Sequence, residues 1–123
     1  MTLQHVNTSV DCADAQRVGT FWSQALGRPL AEGASQFFAM IPATAPGEVS
    51  WLFMAVPEGK TVKNRMHVDF ASTDRAADVE RLIGLGATLV GEHDEYGVRW
   101  TTLRDVEGNE FCVSDPHTGL TGE

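Results

Sequence analysis

The chain repeats one pattern of predicted elements, and the second copy lies about 60 residues after the first. Each half is predicted as a strand, a helix and then three strands, because one run of helical period lies among runs of period two. Local sequence agrees: ALGRPL at 25–30 is similar to GLGATL at 84–89, and WLFM at 51–54 aligns with FCVS at 111–114. An internal duplication in a chain of 123 residues therefore predicts two related modules.

The modules are expected over about 2–58 and about 64–117, within a single domain covering 1–123. The first module opens with a strand over 3–10 and a helix over 11–26, and the second places its helix over 73–85. The candidate N-caps are Asp11 or Asp14 for the first helix and Ser72 or Thr73 for the second. The predicted fold class is therefore α+β, because each half mixes one helix with several strands.

Composition and charge limit the classes of partner. Apolar residues make up 42% of the chain and charged residues 21%, which excludes wholesale disorder. The net charge is −8 and no run of Lys or Arg occurs, so a nucleic-acid partner is not expected. The expected partners are neutral or cationic small molecules or other proteins.

Two further features concern the compartment. The two cysteines, Cys12 and Cys112, are too far apart in sequence to suggest a disulfide framework or a CxxC pair. The first ten residues lack the pattern of a signal peptide, and the longest apolar run, Trp51 to Val56, is too short to span a bilayer. We therefore expect a cytoplasmic protein with no membrane partner.

Strand alternation gathers polar side chains on one face of three predicted strands. In each of these strands the opposite face is apolar and suited to packing under a helix. The polar faces carry His5, Asn7 and Ser9; His67 and Asp69; and Glu110, Cys112 and Ser114. Such a face is either exposed to solvent, as in a lone antiparallel sheet, or lines a cavity if two sheets curl toward each other. Four of these residues, His5, His67, Glu110 and Cys112, are candidate metal ligands.

Four segments together resemble the vicinal oxygen chelate superfamily, and within it the glyoxalase-like domains of the glyoxalase/bleomycin-resistance/extradiol-dioxygenase group. They are LQH in the first strand, FWSQALGRPL at the end of the first helix, KNRMHVDF at the start of the second half and DVEGNEFCV near the end of the chain. The resemblance runs from about residue 2 to 117. It implies two βαβββ modules that form an incomplete mixed β-barrel around a cleft, and a homodimer.

The resemblance also implies a divalent metal, with ligands on the first, fourth, fifth and eighth strands. His5 matches the first of these positions and His67 the fifth-strand position. The fourth strand, Trp51 to Met54, offers no oxygen or nitrogen ligand, and Cys112 stands where the eighth strand usually carries Glu. The expected ligands are therefore His5, His67 and Cys112, with Glu110 two residues earlier on the same face. Zn, Fe, Mn and Ni are the candidate ions, and a metal-free protein is the alternative.

Three functions follow from these features. The first is a small-molecule enzyme with lyase, isomerase or dioxygenase chemistry on an oxygenated substrate, in which a metal polarises substrate oxygens and Asp69 or Glu110 is the base. The second is a metal-free protein that binds drugs or metabolites, as in the bleomycin-resistance branch. The third is a regulatory or scaffold subunit with a vestigial cleft.

Several residues are candidates for contact with a ligand. Trp51 and Trp100 can stack on planar rings, while Asn7 lies on the polar face of the first strand. Arg99 can bind a substrate carboxylate or form an ion pair with an acidic neighbour. Tyr96 either donates its hydroxyl into the cleft or covers its rim. His93 and His117 are expected to be exposed.

Overall fold

The computed structural model describes residues 2–116, so His117 lies outside the described residues. The chain divides into two compact units, Met1–Lys60 and Thr61–Glu123, called here the N-terminal and C-terminal units. The N-terminal unit contains β1 (Asn7–Cys12), α1 (Ala15–Leu26), β2 (Phe38–Ile41) and β3 (Ser50–Ala55). The C-terminal unit contains β4 (Val68–Ala71), α2 (Arg75–Leu85), β5 (Thr88–Glu95), β6 (Val98–Arg104) and β7 (Glu110–Ser114).

The N-terminal unit is a three-stranded sheet in the order β1-β3-β2, packed against α1. β1 runs parallel to β3, and β2 runs antiparallel to it. The apolar side chains of α1, among them Val18 and Trp22, are buried together with Ile41 and Phe53 of the sheet. Burial of this apolar face stabilises the unit, because it removes apolar surface from water while the polar residues of α1 stay on the other side.

The C-terminal unit is a four-stranded sheet in the order β4-β7-β6-β5. β7 lies between β4, to which it is parallel, and β6, to which it is antiparallel. Phe111 and Val113 of β7 and Leu103 of β6 are buried on one face, on which α2 packs. The opposite face carries the polar residues that alternate with them.

Both units mix a helix with a mixed sheet, so the predicted α+β fold class is confirmed. The strands are hydrogen-bonded into two separate sheets and are not closed into a barrel. Neither helix of the described chain has the length and apolar character required to cross a lipid bilayer.

The N-terminal unit has two strands after its helix, one fewer than the sequence predicts. Where the additional strand is predicted, the chain instead makes a backbone hydrogen bond from the N–H of Ala31 to the carbonyl of Met40, at 2.8 Å. Pro29 has no N–H to donate, and Gly33 adopts a positive φ of 91°, so the chain turns away before a ladder can form. The first strand also begins at Asn7 rather than at residue 3, which leaves His5 just before it.

The helix caps agree with the prediction in the first module only. Asp14 caps α1 by accepting a hydrogen bond from the N–H of Arg17 at 3.2 Å. For α2 the prediction of Ser72 or Thr73 is wrong, because Asp74 accepts from the N–H of Ala77 at 3.1 Å. The Ser72 hydroxyl instead donates to Asp78 at 2.6 Å and accepts from the N–H of Asp74 at 3.0 Å.

Candidate functional site

The polar face of the C-terminal sheet borders a cavity of about 450 Å³. Its walls come from β4, β6 and β7, from the end of β5 and the turn that follows it, and from the segment before β4. The alternation of the strands explains the lining: Val98, Trp100 and Thr102 of β6 all point to the same side. The volume is that of a small-molecule site.

Three groups with metal-binding atoms converge on one wall of this cavity. The ligand atoms of His67, Asp69 and Cys112 all lie within 4.8 Å of one another. The convergence follows from strand register, because Asp69 on β4 lies opposite Cys112 on the neighbouring parallel strand β7. His67 precedes Asp69 by two residues, and its Nδ1 is 2.6 Å from the Asp69 Oδ1. The three residue types supply nitrogen, oxygen and sulfur donors, a set that zinc accepts.

Cys112 is the buried member of this cluster. It is 9% exposed, and its Sγ is 3.4 Å from the Thr102 Oγ1. Burial raises the pKa of the Cys112 thiol, and the charge of Asp69 together with a hydrogen bond to that carboxylate raises it further. The Thr102 hydroxyl and the charge of Lys63 act in the opposite direction on the same pKa. The net effect keeps the thiol protonated at neutral pH when no metal is bound.

Glu110 lines the cavity but has a structural task. Its carboxylate accepts a hydrogen bond from the N–H of Asn64 at 3.1 Å and another from the Arg104 Nε at 3.2 Å. The Asn64 side chain pairs in turn with the backbone of Glu110, accepting from its N–H at 2.9 Å and donating to its carbonyl at 3.2 Å. These contacts join the segment before β4 to the start of β7. They hold Asn64, three residues before His67, in place.

The candidates from the first module lie in the N-terminal unit. The Nε2 of His5 is 3.0 Å from the Thr8 Oγ1, and the side-chain amide of Asn7 donates to the Ser9 hydroxyl at 3.3 Å. Trp51 is 6% exposed and packs against Trp22, with ring centroids 5.0 Å apart. The predicted metal and ligand roles of His5, Asn7 and Trp51 remain predictions.

The two candidates on β6 lie on opposite faces of the sheet. Trp100 lines the cavity and stacks on His93 of β5, with ring centroids 4.9 Å apart and planes at 22°. Arg99, one residue earlier, is exposed, with its Nε 3.5 Å from the Asp94 Oδ2. The ion pair that the sequence offered as one role of Arg99 is therefore present, and the predicted binding of a substrate carboxylate by Arg99 remains a prediction.

Residues near the cavity that the sequence did not single out include Lys63, Asn64, Glu95 and Thr102. Alternation from Trp100 places Thr102 on the cavity face, so that signal was available. Lys63 and Asn64 open the KNRMHVDF segment, but they precede the strand, and no periodicity indicates where their side chains lie.

Comparison with known proteins places these features in a family. A family model described as "Glyoxalase-like domain" matches residues 7–114. No curated protein sequence matches the chain.

Solved structures with the same fold include several enzymes. A glyoxalase/bleomycin resistance protein/dioxygenase family enzyme from Burkholderia phytofirmans PsJN has a TM-score of 0.73 at 20% identity, covering 92% of this chain and 98% of that one. The fosfomycin resistance protein FosX from Mesorhizobium loti has a TM-score of 0.69 at 13% identity, covering 96% and 95%. Lactoylglutathione lyase from Agrobacterium tumefaciens has a TM-score of 0.68 at 16% identity, covering 100% and 98%. At these identities the likeness concerns the fold, and together with the family match it shows that the chain belongs to the glyoxalase-like domain family of the vicinal oxygen chelate superfamily.

Proposed function

We propose that the chain is a small-molecule enzyme of the glyoxalase-like type, which acts on an oxygenated substrate in the cavity of the C-terminal unit with one divalent metal ion. The observation that carries this proposal is the convergence of His67, Asp69 and Cys112, with their ligand atoms within 4.8 Å of one another. A structural ion pair accounts for His67 and Asp69 alone, but not for a buried thiol beside them on the cavity wall.

The donor set fits a borderline metal such as zinc better than a hard one such as magnesium or manganese, because it includes a thiol. His67, Asp69 and Cys112 would hold the ion, and Cys112 has to release its proton to do so. When bound, the metal polarises an oxygen of the substrate and stabilises negative charge that develops on it. The site thus differs from the ligand set that the resemblance implies, in which His5 takes part.

Side chains of this unit account for the remaining tasks. Asp69 supplies the one carboxylate of the cluster and its side chain is 60% exposed, so we assign proton transfer to one of its oxygens. Glu110, the other base expected from the sequence, is 7% exposed and held by Asn64 and Arg104, which favours a positioning role. Lys63 places a positive charge near Cys112, where an electron-rich part of the substrate binds.

The proposal is tested by metal binding before any substrate is known. Chelator-treated protein is dialysed against Zn²⁺, and bound metal is measured by elemental analysis. We expect about one zinc per chain, and its loss in the variants His67→Ala and Cys112→Ser. Cys12→Ala is the matched cysteine control, because Cys12 is buried in the N-terminal unit. Full zinc content in both cluster variants would contradict the site.

His5→Ala separates the two candidate ligand sets. If His67, Asp69 and Cys112 suffice, this variant keeps its zinc; if it loses zinc, the ligand set that the resemblance implies is the correct one. Turnover is then sought with lactoylglutathione and with fosfomycin, the compounds named for two of the structural relatives. Zinc-loaded wild type and Asp69→Asn are compared, and an activity that survives in Asp69→Asn excludes the assigned base.

A metal-free binding protein is the second candidate, and the raised pKa of the Cys112 thiol favours it, since a protonated thiol is a poor ligand. Its signature is stoichiometric binding of a small molecule by chelator-treated protein, without product.

We also infer a cytoplasmic location and a homodimer. Neither of the two described cysteines forms a disulfide, which supports a reducing compartment.

A further inference from the structure

The end of the cavity at the β5–β6 turn differs in chemistry from the metal-binding wall. Trp100 lies there on β6, and the residue opposite it on β7 is Ser114. One face of the indole is covered by the stacked ring of His93, 4.9 Å away. On the other side the small Ser114 also lines the cavity, so cavity space borders the indole there. A planar ring fits such a space by stacking on Trp100.

Negative charge is concentrated at the same end. β5 carries three acidic residues in its second half, and two of them have basic partners: Glu92 pairs with Arg75, and Asp94 pairs with Arg99. Glu95 lines the cavity, and its carboxylate has no ion-pair or hydrogen-bond partner in the part of the chain that the structure describes. An unpaired carboxylate beside an indole face favours a cation, because both attract positive charge.

The turn itself holds an aromatic residue in an unfavourable conformation. Tyr96 and Gly97 have φ values of 56° and 75°, which is the geometry of a two-residue hairpin turn. Asn or Gly suits the first position of such a turn, whereas a bulky residue with positive φ is an outlier. The Tyr96 ring is 87% exposed and lines the cavity, so packing in the core does not explain its presence. Its place at the rim next to Trp100 and Glu95 points to contact with a ligand.

We propose that Glu95, Tyr96, Trp100 and Ser114 form an aromatic subsite that binds a planar, positively charged ring of the substrate. The inference rests on the proposed function, whose substrate class it extends. Along β6, Thr102 beside Cys112 lies four positions from Val98 at the turn, a distance of about 13 Å. The substrate therefore joins an oxygenated part, at the metal-binding wall near Lys63, to a cationic aromatic part at the turn.

The test uses three probes on the full chain after treatment with chelator, with binding measured by isothermal titration calorimetry. N-methylquinolinium has a planar ring and a positive charge, quinoline has the ring without the charge, and tetramethylammonium has the charge without the ring. We expect N-methylquinolinium to bind about 10-fold more tightly than either of the others, because stacking and charge act together. Equal affinity for N-methylquinolinium and quinoline would overturn the proposed charge preference.

Variants locate the binding. Trp100→Ala is expected to weaken N-methylquinolinium about 10-fold, and Ser114→Val to do the same by filling the space beside the indole. Glu95→Gln is expected to bring its affinity close to that of quinoline, whereas Asp94→Asn, on the opposite face of the sheet, leaves it unchanged. Unchanged affinity in both Trp100→Ala and Ser114→Val, with both proteins folded, would overturn the subsite.

Tyr96→Asn tests whether Tyr96 contacts the ligand or only shapes the turn, because Tm and probe affinity are measured together. Asn relieves the strain of the turn, so Tm rises, while the loss of the ring weakens N-methylquinolinium about 3-fold. A rise in Tm with unchanged affinity would remove Tyr96 from the subsite. His67→Ala distinguishes failure of the metal site from failure of the subsite. Under the proposed function this variant loses zinc binding but still binds N-methylquinolinium. Probe binding without any zinc binding would therefore refute the metal site and keep the subsite.

Discussion

Asp69 and Cys112 face each other at one register position of the parallel strands β4 and β7. The carboxylate of Asp69 acts on the thiol of Cys112 by charge and by a hydrogen bond, and both effects add to burial in raising the thiol pKa. One contact thus places two ligand atoms together and keeps a proton on one of them. Any metal that enters this cluster competes with that proton.

Zinc affinity should therefore rise with pH. Below the pKa of the Cys112 thiol, each bound zinc releases one proton from it, which gives about a 10-fold gain in affinity per pH unit. Competition titrations with a zinc indicator between about pH 7 and pH 9 measure this slope. Cys112→Ser should lower the affinity and flatten the slope, and Cys12→Ala should match the wild type. A slope unchanged by Cys112→Ser would exclude the thiol as a ligand.

The same pKa predicts an alkaline loss of stability. The thiol has a raised pKa in the folded chain and an ordinary value of about 8.5 in the unfolded chain. Its contribution to the free energy of unfolding is therefore fully present below about pH 8.5 and is lost as pH rises through the folded-state pKa. Urea unfolding of metal-free protein at increasing pH tests this. Cys112→Ala should lose less stability than wild type between neutral and alkaline pH, and an equal loss would contradict the assignment.

Asn64→Ala should destabilise the C-terminal unit by about 1–3 kcal/mol, because it removes two part-buried hydrogen bonds to the backbone of Glu110. Asn7→Ala is the matched control, since Asn7 makes one exposed contact with Ser9, and it should change stability by less than about 0.5 kcal/mol. Urea unfolding followed by circular dichroism measures both. Equal effects of the two substitutions would show that the Asn64–Glu110 pairing contributes nothing.

The glycines that end the two helices differ in their surroundings. Gly27 has φ 67° and nothing within 4 Å of an added Cβ, so Gly27→Ala should cost about 1 kcal/mol through backbone strain alone. At Gly86, with φ 121°, an added Cβ would lie 2.8 Å from the Val106 Cγ1, so Gly86→Ala should cost more, roughly 2–4 kcal/mol. Thermal unfolding of both variants compares them, and the reverse order would contradict the predicted clash.

Alternation along the strands explains how much of the site could be predicted. It assigns His67 and Asp69 to one face of β4 and Cys112 to the matching face of β7, and the structure has all three on the cavity wall. Alternation carries no information about which residues of two strands lie opposite each other. The Asp69–Cys112 register, 43 positions apart in sequence, was therefore not predictable.

Local chemistry outside the strands accounts for the differences in the fold. Ser72, Thr73 and Asp74 are all good caps; Asp74 caps α2, while the Ser72 hydroxyl bonds Asp78 and the N–H of Asp74. The strand expected near Ala31 contains suitable residues, but Pro29 and Gly33 prevent its pairing beyond one hydrogen bond. Competition between neighbours determines both outcomes, and a propensity assigned residue by residue does not include it.

The position of β7 in the C-terminal sheet determines the order in which this unit can be completed during synthesis. β7 is the last strand of the unit, yet it lies between β4 and β6. Until residues 110–114 have left the ribosome, β4 has no hydrogen-bonding neighbour in its sheet, and the contact that closes the unit spans more than 40 residues. Asp69 therefore has no Cys112 beside it until β7 has been made, so the wall that carries His67, Asp69 and Cys112 is among the last parts of the unit to form.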